Sequence, residues 1–500
     1  MSDLSLVQKI LYGVLVILGI SFWFGLGFPF ANHNESFVIV TQLEKMDLGD
    51  VLTNRVYPVA NYRPLGQAVA WLGYTLGGRS GASVQLFNYV VAALAWLVLF
   101  FALRERRVMG FAALLSGGVL FSGYIYLFHL HGVFYSPLLL LVAMLFMLET
   151  KTITAGRLWV VTLTALVAAF FHPYALPVFL AALVGFVLER PREFGAFRRM
   201  LGGTIVGALA LIVVLVIVPR HESLMTTREM LEGIVTSYRM VEVNSIVSAA
   251  VTLLVVLTVW SFPITSTNRW IALGAALACV VVAYILGVPI MFVWIGVSLV
   301  KAILLKKWWL GIVIAGTALL PGPAATGSPT YAIFVIMACT GALALSWRGA
   351  EEKISPWGDW IAGLTIVSAV CLLILLRSGV QVPVLSRVAQ PIIAEREKTF
   401  QMEEIVNWLV HSEYARYEPV LIRRSDNPRG ASDAVDRTHR PPTDQEYLSK
   451  YTGSRRQGDA QPGKTLLVGF GGDEVPGETA LFTVESSQAG PARVFLPPPK

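Results

Sequence analysis

The sequence predicts a mainly α fold: a polytopic transmembrane helix bundle of about 13 spans followed by a small C-terminal extracytoplasmic α+β domain. Three observations predict it. Hydrophobic residues make up 55% of the 500 and charged residues only 14%, against about 25% charge in an ordinary soluble domain. Up to about residue 376 the chain is a series of apolar runs of roughly 13 to 21 residues, and about 20 such residues cross a hydrocarbon core as a helix that satisfies its own backbone. Beyond residue 376 the composition turns polar, charged and proline-rich.

The formal net charge of +7 does not mark a nucleic-acid binder, because its distribution is wrong for one. Residues 377–500 hold 16 Lys/Arg and 16 Asp/Glu, so the excess lies in the apolar part, where it reports orientation. Cys279, Cys339 and Cys371 all lie inside apolar runs, which suggests neither a disulfide framework nor a thiolate metal site.

In chain order, Ile10 to Phe30 reads as a retained signal anchor, since no small-residue cleavage site follows it. Basic clusters at Lys9, Arg104–Arg107, Lys151–Arg157, Arg190–Arg199, Arg269, Lys301–Lys307 and Arg348–Lys353 mark the cytoplasmic side. The alternating breaks fall on the opposite face: Ala31–Ser83, Phe128–Gly132, His172–Tyr174, Pro219–Asn244, a turn near Gly287–Pro289, and Pro321–Thr330. The alternation closes with the N-terminus inside and the tail outside, as in a bacterial inner-membrane protein. Two runs around residues 270–300 are short and form either two spans or a re-entrant hairpin.

The first domain is thus residues 1–376, with two long outer loops at 31–83 and 219–244. Leu43, Met46, Leu48, Val51 and Leu52 in one, and Leu224, Met230, Leu231, Ile234 and Val235 in the other, have helical spacing, predicting amphipathic helices along the membrane surface. In the second domain, 377–500, Phe400, Met402, Ile405, Val406, Trp408 and Leu409 define a helix face. Strands are predicted at 419–422, 464–470, 480–484 and 492–496, with a flexible stretch near 425–461. Gly469-Phe-Gly-Gly is followed by Asp-Glu-Val-Pro and no helix, so it is a turn and not a nucleotide loop.

Asn32-His33-Asn34-Glu35, at the outer end of the first span, puts a carboxylate at the membrane boundary within reach of a lipid-borne substrate. The bland alternative is a polar collar that ends a helix. His33, His129, His131 and His172 are all predicted on that face and are candidate ligands for a divalent metal. Their spacing is not a metal signature, and His172-Pro173-Tyr174 reads better as a helix-ending turn.

Asn34-Glu35-Ser-Phe-Val-Ile after the first span, a long amphipathic first loop, Asn61-Tyr62-Arg63-Pro64-Leu65 before the second span, and His129-Leu-His131 in the short second loop together carry a resemblance. With the helix ending Ile405-Val-Asn-Trp-Leu and the strand after it, the chain resembles the GT-C class of membrane glycosyltransferases. These include protein O-mannosyltransferases and the aminoarabinose transferases of lipid A. The architectural likeness spans the chain, while the residue-level likeness rests on short, degenerate motifs.

The resemblance implies inverting transfer of a sugar from a polyprenyl-phosphate donor to a glycan, lipid or protein acceptor at the extracytoplasmic face, with no cofactor beyond the metal considered above. Glu35 would be the general base on the acceptor hydroxyl. An arginine would stabilise the leaving phosphate: Arg63, beside Tyr62, first, with Arg220, Arg228 and Arg239 behind it. For each arginine the bland reading is a lipid-headgroup contact. The sequence departs from the family's acidic pair at Asn34. Either Glu35 takes over, or Asp47 or Asp50 swings in, or activity is lost and the protein is a structural or assembly subunit. A transporter of lipid-linked glycans would carry ionisable residues at mid-depth and repeated halves; spans 2 to 6 have almost none of the former, and the chain shows no internal repeat. A glycan polymerase or ligase would place its large outer loop late in the chain.

Overall fold

The computed structural model describes residues 10, 14, 46–53, 63–77, 82–102, 130–149, 153–195, 197–212, 226–242, 245–321, 331–345, parts of 397–421, 465–469, 479–486 and 490–496. The protein is mainly helical, with a small sheet near its C-terminus. Fourteen α-helices are described in the first 345 residues: α1 Leu48–Thr53, α2 Pro64–Leu76, α3 Ala82–Ala102, α4 Ser136–Leu145, α5 Ala155–Phe171, α6 Ala175–Glu189, α7 Pro191–Gly195, α8 Arg198–Ile212, α9 Thr227–Val241, α10 Ser245–Trp260, α11 Ser266–Ile285, α12 Met291–Leu304, α13 Trp308–Leu319 and α14 Ala332–Leu345.

Their termini follow from local chemistry. Proline opens α2 at Pro64 and sits at the start of α4, where a missing amide hydrogen costs no helical bond. Thr154 and Thr265 cap α5 and α11 by accepting from the amides of Arg157 and Asn268. Thr226 and Glu229 form a reciprocal capping box on α9. The start of α12 is capped from another element: Glu242 accepts from the amides of Ile290, at 2.8 Å, and Met291, setting a carboxylate against the positive helix end. Burial pushes the Glu242 carboxyl up from its ordinary range, and the two amide bonds act against that rise.

α14 is the hub. Residues 332–339 are apolar on every side and at most 1% exposed, the pattern of a helix enclosed by others. α4, α12 and α13 pack on it, α3 packs along α4, and α6 along α13. α11 lies at the periphery against α10 and α12, with Trp270, Ile271, Val281, Tyr284 and Ile285 exposed. Among the described residues α11, at 20 residues, is the one helix long and apolar enough to cross a membrane by length and composition, and nine shorter apolar helices accompany it. Of the two runs around residues 270–300 expected to be short, the first is therefore corrected and the second is short. α11 is full length and turns back into the 14-residue α12 through Gly287 at φ +63°, where glycine carries no steric cost.

The helices sort side-chain chemistry to two ends of the bundle. α4 and the 3-10 turn Phe146–Leu148 after it lie between Tyr135 and Glu149, α5 ends just before His172, and α6 carries the chain back to Glu189. At one end Tyr135, His172 and Tyr331 meet; at the other Glu149, Glu189, Arg190 and Lys307 meet. Lys301 is fully buried, and its Nζ donates to Ser261 Oγ and Leu343 O. It thus sits where the C-terminal ends of α10 and α14 converge, as suits a cation.

Close approach of α6 and α13 depends on one glycine. A Cβ at Gly185 would lie 2.2 Å from Trp309 Cα and 2.6 Å from its nitrogen, and backbone cannot rotate aside. Gly185→Ala is expected to destabilise the bundle by about 2 kcal/mol, read as an earlier thermal transition in detergent. Gly156→Ala, with nothing near its Cβ, serves as the control.

The second loop forms a helix, but Leu231, expected on its apolar face, is exposed, and Leu224 lies outside the described residues. α9 buries Ile234, Ser237, Tyr238 and Val241 and exposes Arg228, Leu231 and Glu232. It is fastened by Tyr238 Oη donating to Ala318 O at 3.0 Å and by Arg239 Nη2 donating to Gly287 O at 3.1 Å. In the first loop, Val51 of α1 is buried, while Leu48 and Leu52 are exposed. Trp71 Nε1 donates to Met46 O at 2.9 Å, tying α1 to α2.

In the tail, β1 Glu418–Leu421, β2 Thr465–Gly469, β3 Phe482–Val484 and β4 Ala492–Phe495 form a four-stranded sheet in the order β1-β2-β4-β3. β1 and β2 are parallel, with Glu418 opposite Thr465; the other pairs are antiparallel. The described residues between 397 and 411 are helical, and Met402, Ile405 and Leu409 close over Leu466, Val468, Ala492 and Val494. Phe400, expected on that face, is 49% exposed instead. Gln401 Nε2 locks the helix to the sheet through Val484 O and Gly490 O. The stretch 425–461 lies outside the described residues.

Candidate functional site

Proline places the site's main groups. A residue before proline is kept out of helical backbone, so Arg63, before Pro64, and His172, before Pro173, each stand at a helix end with the chain turning away. Tyr135 immediately precedes α4, whose second residue is Pro137, and Tyr331 immediately precedes α14.

These four residues converge although the chain separates them widely. Tyr135 Oη and Tyr331 Oη are 3.3 Å apart, and His172 Nε2 lies 3.3 Å from Tyr331 Oη. His172 Nδ1 accepts from the Tyr174 amide at 3.3 Å, which leaves the imidazole proton on Nε2 and makes Nε2 the donor to Tyr331. The rings of Tyr135, His172, Tyr174 and Tyr331 pack with centroids 4.9 to 5.8 Å apart. The Arg63 guanidinium lies 5.2 Å from the Phe134 ring centroid and 5.5 Å from that of Tyr135. Phe134 reaches this position because α2 has Gly66 there; a Cβ would meet its ring at 2.5 Å.

Arg63 is 4% exposed, His172 0%, Tyr331 4% and Tyr135 5%. A guanidinium held on aromatic faces and away from bulk water acts on a nearby anion through a low dielectric, where charge-assisted bonds are strongest. The arrangement suits a phosphate or another compact anion. Polar side chains continue from it: Ser136 Oγ lies 3.5 Å from Asn88 Oδ1 on α3, and Gln85 and Gln67 are also buried.

The other residues singled out in the sequence fare differently. Asn34, Glu35, Tyr62, Arg220, His33 and His129 lie outside the described residues, as does the side chain of His131, whose backbone belongs to the 3-10 turn Leu130–Phe134. Asp47 and Asp50 are exposed, and Asp47 Oδ1 accepts from the Asp50 amide at 2.8 Å, capping α1. Arg228 pairs at 2.8 Å with Glu232 on the open face of α9, and Arg239 is held at Gly287. Neither joins the group around Arg63. Among the described residues no cluster of three His, Cys, Asp or Glu side chains is arranged to hold a metal.

Sequence reasoning took His172 for a turn and missed Tyr135 and Tyr331. The His-Pro step and the two tyrosines flanking outer breaks were the available signals. No protein-family model matches the chain, and no curated protein matches it.

Proposed function

We propose that the protein is an inner-membrane glycosyltransferase of the GT-C kind, moving a sugar from a polyprenyl-phosphate donor to an acceptor on the extracytoplasmic face. The observation that carries this reading is the buried Arg63, gathered with Tyr135, His172 and Tyr331. All four come from or border breaks that the charge alternation assigns to the outer side. The groups meeting at the other end, Glu149, Glu189, Arg190 and Lys307, border the cytoplasmic clusters. This sorting agrees with the side assignment read from the basic clusters, with the Arg63 group on the outer side.

In the reaction the donor enters laterally from the outer leaflet, with its phosphate against Arg63. Glu35 removes the proton from the acceptor hydroxyl as its oxygen attacks the anomeric carbon and inverts it. The bond from that carbon to the phosphate oxygen breaks, and polyprenyl phosphate leaves with the bonding pair, its added charge met by the guanidinium. No metal is required by these steps.

The test is a transfer assay with a panel of polyprenyl-phosphate sugars on membranes holding wild type or Glu35→Gln. Wild type is expected to release polyprenyl phosphate, and the variant to lose at least about 10²-fold in rate. Equal rates would move the base to Asp47 or Asp50. An inert wild type would leave Asn34 as the decisive residue and the structural-subunit reading in front.

A further inference from the structure

Gln85 is fully buried on α3, and among the described residues neither its amide oxygen nor its amide nitrogen has a hydrogen-bond partner. Such groups are rare, because an unpaired buried amide keeps its full desolvation cost. A core position of this kind would be better filled by leucine or methionine unless something else bonds the amide. Its location says what that is. Asn88, one turn further along α3 and on the same face, is fully buried and meets Ser136 Oγ. Ser136 follows Tyr135, whose ring lies beneath the Arg63 guanidinium. α3 also packs on α2 and on the turn Leu130–Phe134, the segments that carry Arg63 and Phe134. The unsatisfied amide therefore stands one helical turn from the polar group adjoining the anion site.

We infer that Gln85, with Asn88 beside it, is the subsite that reads a hydroxyl of the donor's sugar. This rests on the transferase reading and adds to it the part of the substrate that the site selects. The chemistry fits a sugar: a primary amide offers one acceptor and two donors, and each sugar hydroxyl both gives and takes a hydrogen bond. The phosphate bound at Arg63 joins directly to the anomeric carbon, so the ring hydroxyls must fall within a few ångströms of it.

The experiment compares wild type, Gln85→Leu and Arg63→Ala, purified in detergent, by the thermal shift that each ligand produces. The probes are farnesyl monophosphate and farnesyl phosphate bearing a hexose, a 6-deoxyhexose or a pentose. Wild type should be stabilised by farnesyl phosphate and further by one of the sugar-bearing forms. Gln85→Leu should keep the first shift and lose the second, along with the preference among sugars, while its ligand-free transition stays level or rises because the unpaired amide is gone. For the preferred donor its kcat/KM should fall about tenfold, the loss of one neutral hydrogen bond. Arg63→Ala should lose both shifts. If Gln85→Leu keeps the sugar increment and the preference, the amide holds only a water and the subsite is refuted, with the phosphate reading intact. If farnesyl phosphate and its sugars leave wild type unshifted, the transferase reading fails and this inference falls with it.

Discussion

Arg63→Ala is expected to lower sugar transfer by about 10² to 10³-fold, the loss usual when one donor to a developing oxyanion is removed from a preorganised site. The loss should fall on KM as well as kcat: donor binding weakens without the guanidinium, and kcat falls because the phosphate gains charge as the sugar leaves. Arg63→Lys should recover only part of the rate. Lysine keeps the charge but lacks the planar fork that can lie over Phe134 and Tyr135 while presenting two parallel donors to a phosphate. A merely structural arginine would behave otherwise: losing its aromatic contacts would cost about 0.5 to 2 kcal/mol of stability and leave the turnover of the folded fraction unchanged. The deciding measurement is therefore kcat per folded protein, with the folded fraction taken from thermal unfolding in the same detergent. Full turnover in Arg63→Ala would remove Arg63 from the chemistry.

How far the sequence reached differs between the bundle and the site. Apolar runs declare helices without reference to partners, since hydrophobicity along the whole length is what an enclosed helix such as α14 needs. The short turn at Gly287 was legible for the same local reason, and so was the amphipathic face of α9. What the runs do not encode is which helix is central and which peripheral. α11 and α14 are both apolar runs, yet one is largely exposed and the other enclosed. At the site, Arg63 was legible because Tyr-Arg-Pro-Leu is a local pattern. Its partners were not, because Tyr331 is 196 residues from Tyr135 and nothing in either neighbourhood refers to the other. Arg228 was a misplaced candidate that local rules could have caught: Glu232 follows it by four positions on a helix, the spacing of an intrahelical ion pair.

The ion-pair end yields the second large effect. Glu149 accepts from Lys307 Nζ at 2.5 Å, from Arg190 Nη2 at 3.2 Å and from Trp309 Nε1 at 2.9 Å, and its side chain is only 11% exposed. Lys307 and Arg190 also reach Glu189, and Arg190 lies 3.9 Å from Glu193, so Glu149, just beyond α4, shares two cations with the carboxylates of α6 and α7. Trp309 is buried, stacked on Phe186 at 4.6 Å and edge-on to Phe146 at 5.1 Å, which fixes its indole nitrogen against Glu149. Glu149→Ala would leave that nitrogen unpaired and two half-buried cations sharing Glu189. Removing one partner from a buried pair costs about 3 to 5 kcal/mol, much of it the penalty of the charge left behind. The expected loss lies at the lower end, about 3 kcal/mol, because Glu189 stays in reach. Glu149→Gln should cost less, since its amide oxygen can still accept from Trp309. The sharper check is a double-mutant cycle with Lys307→Met. If Glu149 acts through Lys307, the second substitution should cost far less in the Glu149→Ala background than alone, leaving a coupling of about 1 to 3 kcal/mol. Additive losses would mean that Trp309, and not the charges, holds the ends of α4, α6 and α13 together.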